Sequence, residues 1–369
     1  GRPGLGCVRG TTGTTRMRMP WMALALALAA AVPGAGAASD EAPRRYGLTA
    51  DSLAQPGVPQ GRLEGPFEFH SRVIPGTVRR YWIHVPAGHD PSRPANLLVF
   101  HDGQRATNPE GSLRVPAVLD NLVQRGDIPP TIGVFVTPGH RGERYPDDLG
   151  MSNPDHRAQE YDALDDTYAR MLVDELLPLV GERYALSDDP ARRAIGGTSS
   201  GAIAAFTVAW HRPDVFGNVV SFIGSYVSIG YRPAEDGRPM VPGGDLYPTL
   251  VRKHPIRPLR IFLQGGRNDL DNEHGNWFLA NQQMLAALQW ANAEADRRGG
   301  DVGEDAVHGS RDVHPPSLLP RGRSPGIDYI QGGRFMFPAP GIHAIIRLTS
   351  TGLRNHPRRA ADRKHDAVQ

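Results

Sequence analysis

Cysteine is almost missing from this 369-residue chain, and the single one, Cys7, excludes an intrachain disulfide framework, a multi-cysteine zinc site and an iron–sulfur cluster. Excess charge of one sign is missing too. With 41 Lys and Arg against 39 Asp and Glu, nothing global marks a disordered polyelectrolyte or a nucleic-acid binder. No apolar run reaches the about 20 residues a membrane-spanning helix needs, and no self-similar period marks a repeat array. What remains is a globular protein, with enough apolar residues to bury one large core.

The two ends read differently from the middle. Residues 1–16 read like translated upstream sequence, and a secretory signal starts well at Met17 or Met19: Arg18, the apolar stretch 21–32, then the small residues Ala35-Gly36-Ala37. Cleavage is expected after Ala37, giving an exported protein, secreted or periplasmic, without cysteine and without a stable membrane anchor. Residues 38–61, rich in Pro, Gly and Ala, read as a linker. Over 321–369, nine Lys and Arg face three Asp, so the chain is a slightly acidic body with a basic tail. We read that tail as poorly ordered or out of frame rather than as a binder of anionic polymers.

Between the ends, short apolar runs alternate with helical patterns. Segments 67–74 and 78–85 alternate like a hairpin turned at Pro75-Gly76. Segments 96–100, 132–136, 194–195, 219–223 and 259–263 read as buried parallel strands. A helix is expected over 161–180, with Tyr161, Leu164, Tyr168, Met171, Leu172, Leu176 and Leu179 on one face, and another over 277–295. The pattern predicts an α/β protein: a mostly parallel central sheet with an antiparallel N-terminal hairpin and helices on both faces. Ligands in such sheets sit at the carboxyl ends of the strands.

At one of those ends lies Gly197-Thr198-Ser199-Ser200-Gly201, directly after the strand and before an apolar helix. G-x-S-x-G here lets a strand bend sharply into a helix and lifts Ser199 into the open, with the Ser200 amide available to a developing oxyanion. A serine hydroxyl needs a histidine to take its proton and a carboxylate to orient that histidine. The loop Gly266-Arg267-Asn268-Asp269-Leu270-Asp271 offers Asp269, with Asp271 in reserve. For the histidine, His308 competes with His314 and His343. A second oxyanion amide is expected from Gly103 or Gln104, after Phe100-His101-Asp102. No spaced ligand set accompanies His101-Asp102, so neither a metal nor any other cofactor is expected.

These segments, together with Glu160-Tyr161-Asp162 and Gly275-Asn276-Trp277, resemble the esterase family of α/β-hydrolases that includes enterochelin (ferric enterobactin) esterase, S-formylglutathione hydrolase and bacterial mycolyltransferases. The likeness covers roughly residues 65–320, within an expected domain of 62–320. It implies an α/β-hydrolase fold, Ser199 as nucleophile, Asp269 as acid and His308 as base. It also puts Trp277, Glu160 and Tyr161 near the pocket. The family's apolar strand and tryptophan-bearing helix around the histidine have no counterpart here. The expected activity is hydrolysis of a small-molecule or carbohydrate-linked carboxylic ester through an acyl-serine. The alternatives are acyl transfer on the same fold, or a noncatalytic glycan- or siderophore-binding protein.

Overall fold

A computed structural model describes residues 48–297 and 329–332. In chain order it contains β1 (Arg62–His70), β2 (Thr77–Val85), β3 (Asn96–His101), α1 (Gly103–Ala106), α2 (Val115–Gln124), β4 (Thr131–Val136) and β5 (His140–Arg141). There follow α3 (Arg157–Tyr161), α4 (Thr167–Arg170), α5 (Leu177–Gly181), β6 (Arg193–Thr198), α6 (Ser200–His211), β7 (Asn218–Phe222) and α7 (Tyr247–Lys253). The remainder is β8 (Arg260–Gly266), β9 (Asp271–Asn272), β10 (Gly275–Asn276), α8 (Trp277–Arg297) and β11 (Tyr329–Gly332).

The main sheet runs β1-β2-β4-β3-β6-β7-β8-β11, with β5 against the start of β2. Strands β1, β2 and β4 pair antiparallel, and from β4 onward the pairs are parallel. Strands β3, β4, β6, β7 and β8 are buried on both faces, which is why they read as continuous apolar runs. Successive residues still go to opposite sides. Leu97, Val99, Ile195, Val219 and Ile261 join the core under α4 to α8, whereas Leu98, Phe100, Ala194, Val220 and Phe262 join the core under α2.

Helix α6 is buried from Ser200 to Trp210, so it shows no polar stripe. Its alanines 202, 204, 205 and 209 let it lie close on β6 and β7. The chain leaves β3 for β4 on one side and returns to β6 on the other, so the direction of winding reverses between β3 and β6. Their carboxyl ends diverge there, which opens a crevice at the switch point.

Three sequence expectations change. The helix over 161–180 is two pieces: Tyr161 ends α3, and a separate helix begins at Thr167. Within the second, Met171–Leu176 winds one residue wider than an α-helix. That added residue rotates the following turn, so Leu177 and Val180 are buried while Leu179 is exposed. Second, part of the expected linker is docked. Asp51 and Ser52 are buried, and Asn121 Nδ2 donates to the carbonyls of Asp51 and Leu53 at 2.9 and 2.8 Å. Third, Tyr329–Gly332 of the expected tail pairs parallel with Leu263–Gly266, so the sheet extends past the expected domain end at residue 320. The expected signal segment, 1–37, lies outside the described residues. Among the described residues no helix is long and apolar enough to cross a membrane.

Candidate active site

Ser199 stands between β6 and α6 at φ 56°, ψ −122°, a left-handed-side backbone that a non-glycine residue adopts only under constraint. The constraint is visible. Its N–H donates to Phe222 O at 3.0 Å, and its carbonyl accepts from Ala202 N at 3.0 Å and Ser225 N at 3.2 Å. Space requires the glycine at 197 and is tight at 201. A Cβ on Gly197 would lie 2.5 Å from the carbonyl carbon and oxygen of Gly201, and one on Gly201 would lie 3.1 Å from His101 Cβ. Thr198 and Ser200 are buried on either side, whereas Ser199 is half-buried. The bend therefore leaves one hydroxyl of the segment reachable.

The end of β3 abuts this bend. Asp102, at φ 53°, caps the short helix α1 and is gripped by Arg157 through two parallel bonds, Nε to Oδ1 at 2.9 Å and Nη2 to Oδ2 at 2.8 Å. Gly103 packs so tightly on Phe135 and Val136 that a Cβ would lie 2.7 Å from the Phe135 carbonyl carbon. The Gly103 and Gln104 amides, in the first turn of α1, have no acceptor within their own helix. Burial pushes His101 down to about 4, although Asp102 and the carbonyls of Gly201 and Gly196 pull the other way. It is neutral at pH 7, lies edge-on to Tyr161 and is packed against Tyr168.

The loop after β8 carries both acid candidates, and the structure separates them. Asp271 is exposed in β9. Asp269 is half-buried, its Oδ1 accepts from Leu270 N at 2.7 Å, and its Oδ2 is buried with no hydrogen-bond partner among the described residues. Burial raises its pKa to about 6, partly offset by the Leu270 amide. A buried carboxylate oxygen without a donor is a place built for one. The same loop reaches Ser199 by a short path: Trp277 N donates to Leu270 O at 3.0 Å, and Trp277 Nε1 donates to Ser225 Oγ, which is 3.0 Å from Ser199 Oγ. Three candidates, His308, His314 and His343, lie outside the described residues.

The residues expected to line the pocket fare differently. Trp277 is adjacent to the site but 2% exposed. Glu160 is committed inside the protein: it pairs with the fully buried Arg79, accepts from Gly139 N at 3.0 Å and meets His156 Nδ1 at 2.8 Å. Tyr161 is fully buried, with its hydroxyl facing the Asp102 amide at 3.4 Å. Tyr161 underlies the β3 loop, whereas Glu160 ties β2 to the chain after β4, and neither faces an open surface. Sequence reasoning gave no site role to Arg157, Asp162 or Ser225. Asp162, 2% exposed with neither oxygen well bonded among the described residues, is pushed up to about 6 by burial, with Ser200 and Arg157 pulling partly back. Among the described residues no group of His, Cys, Asp and Glu could hold a metal ion.

A strand-to-helix serine bend at the switch point of a mostly parallel sheet, with an acid loop two strands over, defines an α/β-hydrolase. Residues 73–304 match the family model described as "Putative esterase", and the chain belongs to that family. It is 27% identical over 233 residues to an Iron(III) enterobactin esterase of Dickeya dadantii, covering 62% of this chain and 48% of that protein. To the protein of the same name in Escherichia coli it is 30% identical over 229 residues, 62% and 50% of the two chains. The chain thus spans about half the length of the curated relatives it matches. Among solved structures, the enterobactin esterase of Shigella flexneri in the presence of enterobactin superposes with a TM-score of 0.55 at 22% identity, over 82% of this chain and 62% of that one. A ferulic acid esterase of the anaerobic fungus Anaeromyces mucronatus superposes at 0.52 and 15% identity, over 82% and 97%. At these identities the superpositions speak to the fold.

Proposed function

We propose that the protein is an exported serine hydrolase that cleaves small-molecule carboxylic esters through an acyl-serine intermediate. Ser199 attacks the ester carbonyl carbon as a histidine, His308, takes its proton. The alcohol leaves with that proton, and water then releases the acid by the same route. Asp269 holds the histidine, its unpartnered Oδ2 accepting the ring N–H. The Ser200 amide and that of Gly103 or Gln104 carry the oxyanion. Met17–Ala37 supplies the export signal, and 62–320 together with Tyr329–Gly332 forms the catalytic domain.

The observation that supports this most is the half-exposed Ser199 on a backbone that only a fully determined bend sustains. The relatives are named Iron(III) enterobactin esterases, and a fold neighbour is a ferulic acid esterase, so esters that carry an aromatic ring are the substrates to test first. The experiment is hydrolysis of p-nitrophenyl acetate and methyl ferulate by wild type and Ser199→Ala. We expect the variant to stay folded and lose at least about a thousandfold in kcat. Equal rates would overturn the reading.

A further inference from the structure

Ser225 is fully buried, and its Oγ lies 3.0 Å from Trp277 Nε1 and 3.0 Å from Ser199 Oγ. An indole N–H can only donate, so at the first contact Ser225 is the acceptor. Its own single proton must go elsewhere, and its other partner among the described residues is Ser199 Oγ. If Ser199 donated instead, the Ser225 proton would be left in a buried site with no acceptor among the described residues. The direction of the chain is thereby set by its far end.

We propose that Ser225 donates to Ser199 Oγ, held in that sense by Trp277, so that the Ser199 proton is turned away from Ser225 and toward the general base. This rests on the reading of Ser199 as nucleophile. In the attack, Ser199 Oγ forms the bond to the carbonyl carbon and its proton passes to the base, while the Ser225 proton stays on Ser225 as the acceptor beside it gains the bond. Ser225 contacts the reacting oxygen. Trp277 is a positioning residue that acts through it.

The scaffold holds both groups rigidly. Ser225 N donates to Ser199 O at 3.2 Å, tying the β7 loop to the bend. Asn281, one turn after Trp277 in α8, donates to Gly224 O at 2.8 Å and Trp277 O at 2.9 Å, so one helix end fixes the indole and the loop carrying Ser225 together. Ile223, just before that loop, is held at φ 43°, with its N–H on Gln264 O. These bonds keep Ser225 beside Ser199 in the free protein, with no substrate to bring it there.

The test uses the full chain with p-nitrophenyl acetate, thermal melting as the check on folding, and the indole ¹⁵N–H resonance of Trp277, assigned by its loss in Trp277→Phe. Ser225→Ala is expected to melt as a folded protein, lose about 10- to 100-fold in kcat with KM within about twofold, and shift the Trp277 resonance. Ser225→Thr, which keeps the hydroxyl, recovers part of the loss. Trp277→Phe keeps every oxygen and frees only the direction of the bond, so it falls severalfold in kcat alone. It decides the matter should Ser225→Ala not fold. An unchanged kcat in the folded variants, or a change confined to KM, overturns the proposal while leaving Ser199 as nucleophile. Failure of wild type to take a fluorophosphonate label removes that reading, and the proposal with it.

Discussion

Gly197 and Gly201 face each other across the bend that carries Ser199, so closely that a Cβ on Gly197 would meet the backbone of Gly201 at 2.5 Å. The obstacle to a Gly197 Cβ is the Gly201 main chain, which no side-chain rotation relieves. Gly197→Ala is therefore expected to destabilise the fold by about 3 kcal/mol or more. Gly201→Ala meets the His101 Cβ and Asp102 Oδ2 at 3.1 and 3.2 Å and is expected to be milder. Urea unfolding of the two variants checks the order, and equal stability of Gly197→Ala and wild type would refute it.

The acid loop gives a contrast between two carboxylates two residues apart. Asp269→Asn removes the charge next to the unpartnered site and is expected to lower kcat by about a hundredfold or more. Asp271→Asn, on an exposed strand end, is expected to stay within about twofold. Steady-state kinetics on both variants decides, and a reversed ranking would move the acid to Asp271.

Glu160 separates packing from substrate contact. With Arg79 fully buried beside it, Glu160→Gln leaves a buried guanidinium without its charge partner and is expected to destabilise by about 3 kcal/mol. KM of the folded fraction is expected to hold steady. Thermal melting with parallel kinetics tests this. A stable variant with a raised KM would return Glu160 to the pocket.

Asp162 predicts a pH dependence. Its folded pKa of about 6 lies above the ordinary 3.8, so the native state keeps a proton that the unfolded chain has released. Stability from this group is complete below about 4 and falls as pH rises through 6, by at most about 3 kcal/mol. Asp162→Asn removes the loss. Its advantage over wild type is expected to be larger at pH 7.5 than at pH 4.5 by urea unfolding, and an advantage that shrinks with rising pH would contradict the assignment.

Much of the fold was legible because buried parallel strands write themselves as short apolar runs. β3, β4 and β7 stand within one residue of their expected bounds. The Ser199 bend was legible for a local reason, two glycines that the crossing of strand and helix demands. What was hidden depends on distance along the chain. Nothing near Asp102 announces Arg157, 55 residues on, as its partner, and nothing in the polar stretch after β7 marks Ser225 as the neighbour of Ser199. Leu179 misled because a single added residue in the preceding turn rotates the face it lies on. The last strand was masked by the basic residues around Tyr329 and Ile330, which made a strand-forming segment read as tail. The histidine candidates His308, His314 and His343 fall outside the described residues.

The most direct measurement is to quench wild-type protein during turnover of p-nitrophenyl butyrate, or after a fluorophosphonate, and map the adduct by fragmentation within the tryptic peptide 194–252, which holds both Ser199 and Ser200. The account predicts one butyryl or phosphonyl group on Ser199 and none in Ser199→Ala. An adduct on Ser200, or a folded wild-type protein that stays unmodified, would contradict it.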